Sequence, residues 1–101
     1  MKLFWSETAL RDLRAIRKYI AADSLTAAKR WVDRLRLRAK NVITAPLSGR
    51  KVPEFMREDI RELIEGNYRI VYQVAEDRLV ILTVFEGHRL FPEDRIDQET
   101  T

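Results

Sequence analysis

The sequence predicts an α+β fold, and two observations carry that prediction. Two amphipathic helical stripes come first, over residues 7–42, and three short β-patterned segments follow between residues 60 and 91. Grouped helices ahead of hairpin-linked strands give one antiparallel-rich sheet with a helical hairpin on one face. A short β-prone segment precedes the helices. The expected order is therefore β-α-α-β-β-β, in a single domain over residues 1–92 with a polar tail at 93–101.

Lys2 to Trp5 is short and apolar and reads as the first strand. Ser6 suits the N-cap of the helix that follows, and Glu7 suits its first turn. Ala9, Leu13, Ile16 and Ile20 recur at spacings of four, three and four, with Leu10 and Tyr19 widening the stripe, so a helix is expected over about 7–22. Asp23 and Ser24 break the pattern and cap a second helix. Its stripe is Ala28, Val32, Leu35, Ala39 and Val42, with Trp31 alongside. The short connection implies an antiparallel hairpin, and the second helix must end before Pro46. Residues 44–59 read as a loop punctuated by Pro46, Ser48, Gly49 and Pro53. A loop this long is either functional or plain connection.

The stretch from Ile60 to Phe91 organises the rest. Gly66-Asn67 makes the first turn, both residues tolerating positive φ, and Glu76-Asp77 makes the second. Between them Tyr68, Ile70, Tyr72 and Val74 alternate with Arg69, Val71 and Gln73, the period of a strand. The last strand, Leu79 to Phe85, is apolar on both faces: Leu79, Ile81 and Phe85 on one, Val80, Leu82 and Val84 on the other. It should be central and covered on both sides, with the first strand beside it.

The chain has 101 residues, 46% of them apolar, which is enough for one packed domain. It has no cysteine and one histidine, so a disulfide, a thiolate metal site or a zinc site is not expected. No cofactor is implied. No apolar run reaches membrane-spanning length, and the N-terminus lacks the apolar run of a signal peptide, so no membrane partner and a cytoplasmic location are expected. The net charge is +3, but the tail from Glu93 carries −3 and the remainder +6. A basic body favours an anionic partner, nucleic acid or acidic protein, unless it is simply a solvated surface.

Several short motifs occur in a familiar order: Trp5-Ser6, Asp12-Leu13, Tyr19-Ile20, Gly49-Arg50, Arg61-Glu62-Leu63, Tyr68-Arg69-Ile70-Val71-Tyr72 and Gly87-His88-Arg89. Together they resemble the RelE/ParE superfamily of type II toxins, also known as plasmid stabilisation proteins, over about residues 2–91. The resemblance implies a toxin held in a hetero-oligomer by a cognate antitoxin, which lays an amphipathic helix, with or without an added strand, over the helical hairpin and sheet edge. Members of the RelE-like branch cut mRNA on the ribosome, and ParE-like members poison DNA gyrase.

Carried over residue by residue, the nuclease pattern is incomplete. Its arginines match Arg69 and Arg89, and His88 stands in place of a lysine. Its two strand lysines fall on Ile60 and Glu62, and its C-terminal tyrosine falls near Arg95. The resemblance is therefore closer to the ParE-like branch. The alternatives are a ribosome-dependent ribonuclease using Arg69, Arg89, His88 and Lys51, or a decayed toxin that retains only antitoxin binding. The residues expected to meet target or antitoxin are Arg30, Arg34, Arg38, Arg61, Arg69 and Arg89. Arg69 has two readings, an anion contact or a cross-strand pair with Glu62; structure is the favoured role of Arg61 and Glu62. Trp5, Trp31, Tyr68 and Tyr72 sit on apolar stripes, which favours packing over base stacking.

Overall fold

The computed structural model describes residues 1–87. Strand β1 (Lys2–Trp5) leads into α1 (Glu7–Ala21) and α2 (Leu25–Asn41), followed by one 3-10 turn at Val42–Thr44. Then come β2 (Arg50–Lys51), β3 (Ile60–Glu65), β4 (Tyr68–Val74) and β5 (Arg78–Glu86). The five strands form one sheet in the order β1-β5-β4-β3-β2. The β1–β5 contact is parallel and the other three are antiparallel. The predicted α+β architecture stands, with one addition. The segment expected to be a plain loop contains β2, whose two residues pair with Glu62 and Arg61 of β3. A two-residue strand between Gly49 and Val52 has no periodicity to reveal it.

Both helices start where the sequence places caps. The Ser6 hydroxyl accepts from the Ala9 N–H and donates to the Leu82 carbonyl, so it ties the start of α1 to β5. The Ser24 hydroxyl accepts from the Ala27 N–H. The helices bury Ala9, Leu13, Leu35, Ala39 and Val42 against Leu63, Ile70, Tyr72, Leu79, Ile81 and Val84 of the sheet. Tyr19 is not part of that stripe: it is 73% exposed.

The opposite face of the sheet carries a second core of Val52, Ile60, Val71, Leu82 and Phe85, with Phe55 and Val80 packed against it. The segment between β2 and β3 supplies Val52 and Phe55, so β5 is covered on both faces as expected. The division of its residues between those faces is not as expected, however. A register shift sets Tyr72 opposite Ile81 but Val71 opposite Thr83, leaving Leu82 as an extra residue. This bulge reverses the alternation. Val84 joins Leu79 and Ile81 under the helices, while Phe85 joins Val80 and Leu82 on the other side.

Asp12 of α1 holds the bulge. Its Oδ2 accepts from the Thr83 hydroxyl at 2.5 Å and from the Val84 N–H at 3.0 Å. Since β1 pairs only with Arg78–Ile81, the Ser6 and Asp12 side chains occupy backbone groups of β5 beyond the end of β1. In the β3–β4 turn only Gly66 has positive φ (59°); Asn67 does not. Positive φ at the first central residue alone is the II′ pattern, not the one requiring both. A side chain at Gly66 would also meet the Trp31 ring at 2.5 Å.

Candidate functional site

The conspicuous polar feature lies on the sheet face away from the helices. There the pleat places Glu62 of β3 and Arg69 of β4 among Ile60, Val71 and Phe85. Glu62 is 1% exposed. Its Oε1 accepts from Arg69 Nε at 2.7 Å and Nη2 at 2.5 Å, and its Oε2 accepts from Arg50 Nε at 2.5 Å. Arg69 also donates to Glu54, from Nη1 at 3.3 Å and Nη2 at 3.1 Å. Its guanidinium sits 5.1 Å from the centre of the Phe85 ring. Two guanidiniums and two carboxylates make this cluster electrically neutral. Burial works against the Arg69 charge, but the hydrogen bonds it donates to Glu54 and Glu62 outweigh that and raise its pKa. The hydrogen bond from Arg69 holds Glu54 below its ordinary value.

The chain between the 3-10 turn and β3 is fastened down by further polar contacts. Arg61 donates to the carbonyls of Leu47, Gly49 and Glu58 and to the Glu58 carboxylate. Lys51 pairs with Glu58 at 2.5 Å, and that contact holds the Glu58 carboxyl below its ordinary value. Burial opposes the charge on Asp59, yet hydrogen bonds from Gln73 and Arg57 lower its pKa overall. The Tyr72 hydroxyl donates to the Pro46 carbonyl at 2.8 Å and accepts from the Gly49 N–H at 3.0 Å. Burial raises the Tyr72 pKa.

The remaining predicted cations lie on α2. Arg34 and Arg38 reach Glu65 of β3 at 2.5 and 3.5 Å. Arg34 also stacks over Trp31 at 4.4 Å, and Trp31 meets Tyr68 edge-on at 5.4 Å. Arg30 is exposed beside Lys29 and Asp33. By strand alternation Arg69 lies behind the sheet. Arg61 and Lys51, cross-strand partners on the face of Leu63 and Tyr72, lie on the helical side at the β2–β3 edge. That side also carries Arg30, Arg34 and Arg38. His88, Arg89 and the tail lie outside the described residues.

All four aromatics of the apolar stripes pack as expected. Tyr72 is fully buried, and Trp5, Trp31 and Tyr68 are half-buried. Sequence reasoning did not find Glu54 or Arg50 as partners in the neutral cluster. Glu54 lies in irregular backbone, and Arg50 in a strand of two residues directly opposite Glu62, too short for spacing to reveal its register. Among the described residues, no group of three or more His, Asp or Glu side chains is placed to hold a metal.

What the arrangement offers chemically is charge-assisted fastening. A cluster of zero net charge, buried at Glu62 and Arg69 and exposed at Arg50 and Glu54, does not present net positive charge to an incoming phosphate.

Comparison with known proteins agrees with this architecture. A family model described as "ParE toxin of type II toxin-antitoxin system, parDE" matches residues 3–91. The chain is 34% identical over 89 residues to Toxin RelE2 of Caulobacter vibrioides, covering 88% of this chain and 98% of that protein. Its fold is similar to the chromosomal ParDE system of P. aeruginosa, with a TM-score of 0.71 at 22% identity over 85% of this chain and 95% of that one. It is also similar to a YoeB/ParE toxin of Agrobacterium tumefaciens, with a TM-score of 0.60 at 19% identity over 85% of this chain and 98% of that one. On the strength of the sequence matches, the chain belongs to the ParE toxin family of type II toxin–antitoxin systems.

Proposed function

We propose that this toxin acts by binding and not by catalysis: it inhibits DNA gyrase in the cytoplasm and is silenced by a protein antitoxin. The observation that carries this reading is the pairing of Arg69 with Glu62 and Glu54. Cleavage of RNA by this superfamily's route needs uncompensated cations beside the scissile phosphate, to stabilise charge as it develops. Here the strand arginine that matches the nuclease pattern is neutralised, and a carboxylate stands where that pattern has a lysine.

The contacts with target and antitoxin fall to the helical side, to Arg30, Arg34 and Arg38. The antitoxin partner is supported by the solved relatives, among them the toxin–antitoxin complex RelBE2 of Mycobacterium tuberculosis. A second reading, ribosome-dependent mRNA cleavage, is favoured by one finding, the name RelE2 of the relative that is 34% identical. A supercoiling assay with purified gyrase and relaxed plasmid separates the two. Gyrase inhibition predicts loss of supercoiling with accumulation of cleaved plasmid. Unimpaired supercoiling by folded protein, together with mRNA cleavage in a translating extract, overturns it.

A further inference from the structure

Charge is unevenly divided between the two layers of the fold. Residues 7–41, the helical hairpin, contain ten basic and four acidic residues, net +6. Residues 42–87, the rest of the described chain after it, contain six basic and eight acidic residues, net −2. In the sheet layer, Arg50, Arg57, Arg61 and Arg69 are consumed in ion pairs. The helical layer is the reverse. Arg11, Arg14, Arg17 and Lys18 of α1 are exposed, and so are Lys29, Arg30, Arg36 and Lys40 of α2. None of these eight has an ion-pair partner among the described residues, although Arg36 lies 5.5 Å from the Trp5 ring centre. Only Glu7 and Asp33 are exposed acids on the two helices.

We propose that the outer face of the α1–α2 hairpin binds the phosphate backbone of duplex nucleic acid without reading its sequence. The rows have the dimensions for it. At 1.5 Å per residue, Lys29 to Lys40 spans about 16 Å, over which duplex DNA presents roughly ten phosphate charges. Arginine predominates among these cations, and its planar fork suits phosphate oxygens. The face lies on the other side of the sheet from the neutral Glu62–Arg69 cluster, so binding there leaves that cluster undisturbed. Nothing in this inference depends on which enzyme the toxin attacks.

Fluorescence anisotropy with a labelled 30-base-pair duplex and the full chain tests it, with no gyrase present. If about five of the eight cations reach phosphates, the slope of log affinity on log salt is about −4.5, roughly a 500-fold loss between 50 and 200 mM salt. The double variant R14E/K29E should weaken binding at least about tenfold. The variant K2E/R78E, an equal change of charge on the β1–β5 pair, should change it by less than about threefold; circular dichroism verifies that both are folded. Three results overturn the proposal: no duplex binding at 50 mM salt, equal weakening by the two variants, or capture of a poly-glutamate peptide with the duplex ignored. The last assigns the face to an acidic protein.

Discussion

Glu62 is the side chain on which the back of the sheet depends. It is a fully buried carboxylate that receives two guanidiniums, and each of those is drawn from a different strand. Removing one member of a buried pair leaves the other uncompensated in a poorly hydrated site. Glu62→Ala is therefore expected to cost about 3–5 kcal/mol in urea unfolding. Glu62→Gln should fall between it and the native protein, because it keeps the shape and loses the charge. Gly49 is constrained in a different way. A Cβ there would lie 2.4 Å from the Tyr72 hydroxyl and 2.7 Å from the Glu62 carbonyl oxygen. Gly49→Ala should destabilise by about 1–3 kcal/mol through overpacking, and a crystal structure of the variant should show the Tyr72 ring displaced.

At the scale of elements, the segment from Pro46 to Asp59 behaves as a third layer. It closes the back core with Val52 and Phe55, and it is fastened by carboxylates whose pKa values the fold lowers. The folded pKa of Glu54 lies below its ordinary 4.5, so its contribution is fully present above that value and is lost as pH falls through the folded pKa. Thermal denaturation followed by circular dichroism should show the midpoint falling as the pH drops below about 4.5, and Glu54→Gln should flatten that decline. The α1–β5 junction depends on Asp12. Asp12→Ala leaves the Val84 N–H and the Thr83 hydroxyl without this acceptor, an expected loss of about 1–3 kcal/mol.

What the sequence revealed follows the same division. Elements with a period, the two helices and the three long strands, were legible from spacing, and their caps from Ser6 and Ser24. The bulge at Leu82 was not, because a two-faced apolar strand reads the same with or without an extra residue. The Arg69–Glu62 pair was legible as one of two readings. Glu54 was not, since pairing from irregular backbone is set by tertiary geometry, and Arg50 was not, since its two-residue strand has no period to show that it lies opposite Glu62.

At the scale of the whole molecule, the topology has one long-range closure that matters more than the rest. Strand β1 pairs in parallel with β5, so the first residues of the chain complete a sheet whose other strands come after the helices. Deleting residues 1–5 would leave β5 as an edge strand of Leu79, Val80 and Ile81 and remove Leu3 and Trp5 from the core. Exposed apolar edges template association, so the truncated protein should elute from size exclusion as concentration-dependent aggregates where the full chain does not. The same closure sets a clock on biosynthesis. At about 5–20 residues per second, a ribosome needs several seconds to polymerise the roughly seventy residues between Trp5 and Arg78. Until then the leading strand has no mate, and the nascent toxin is an unfinished polypeptide. Any binding that needs the closed sheet must wait for that moment, and a partner made beforehand would have the interval as a head start.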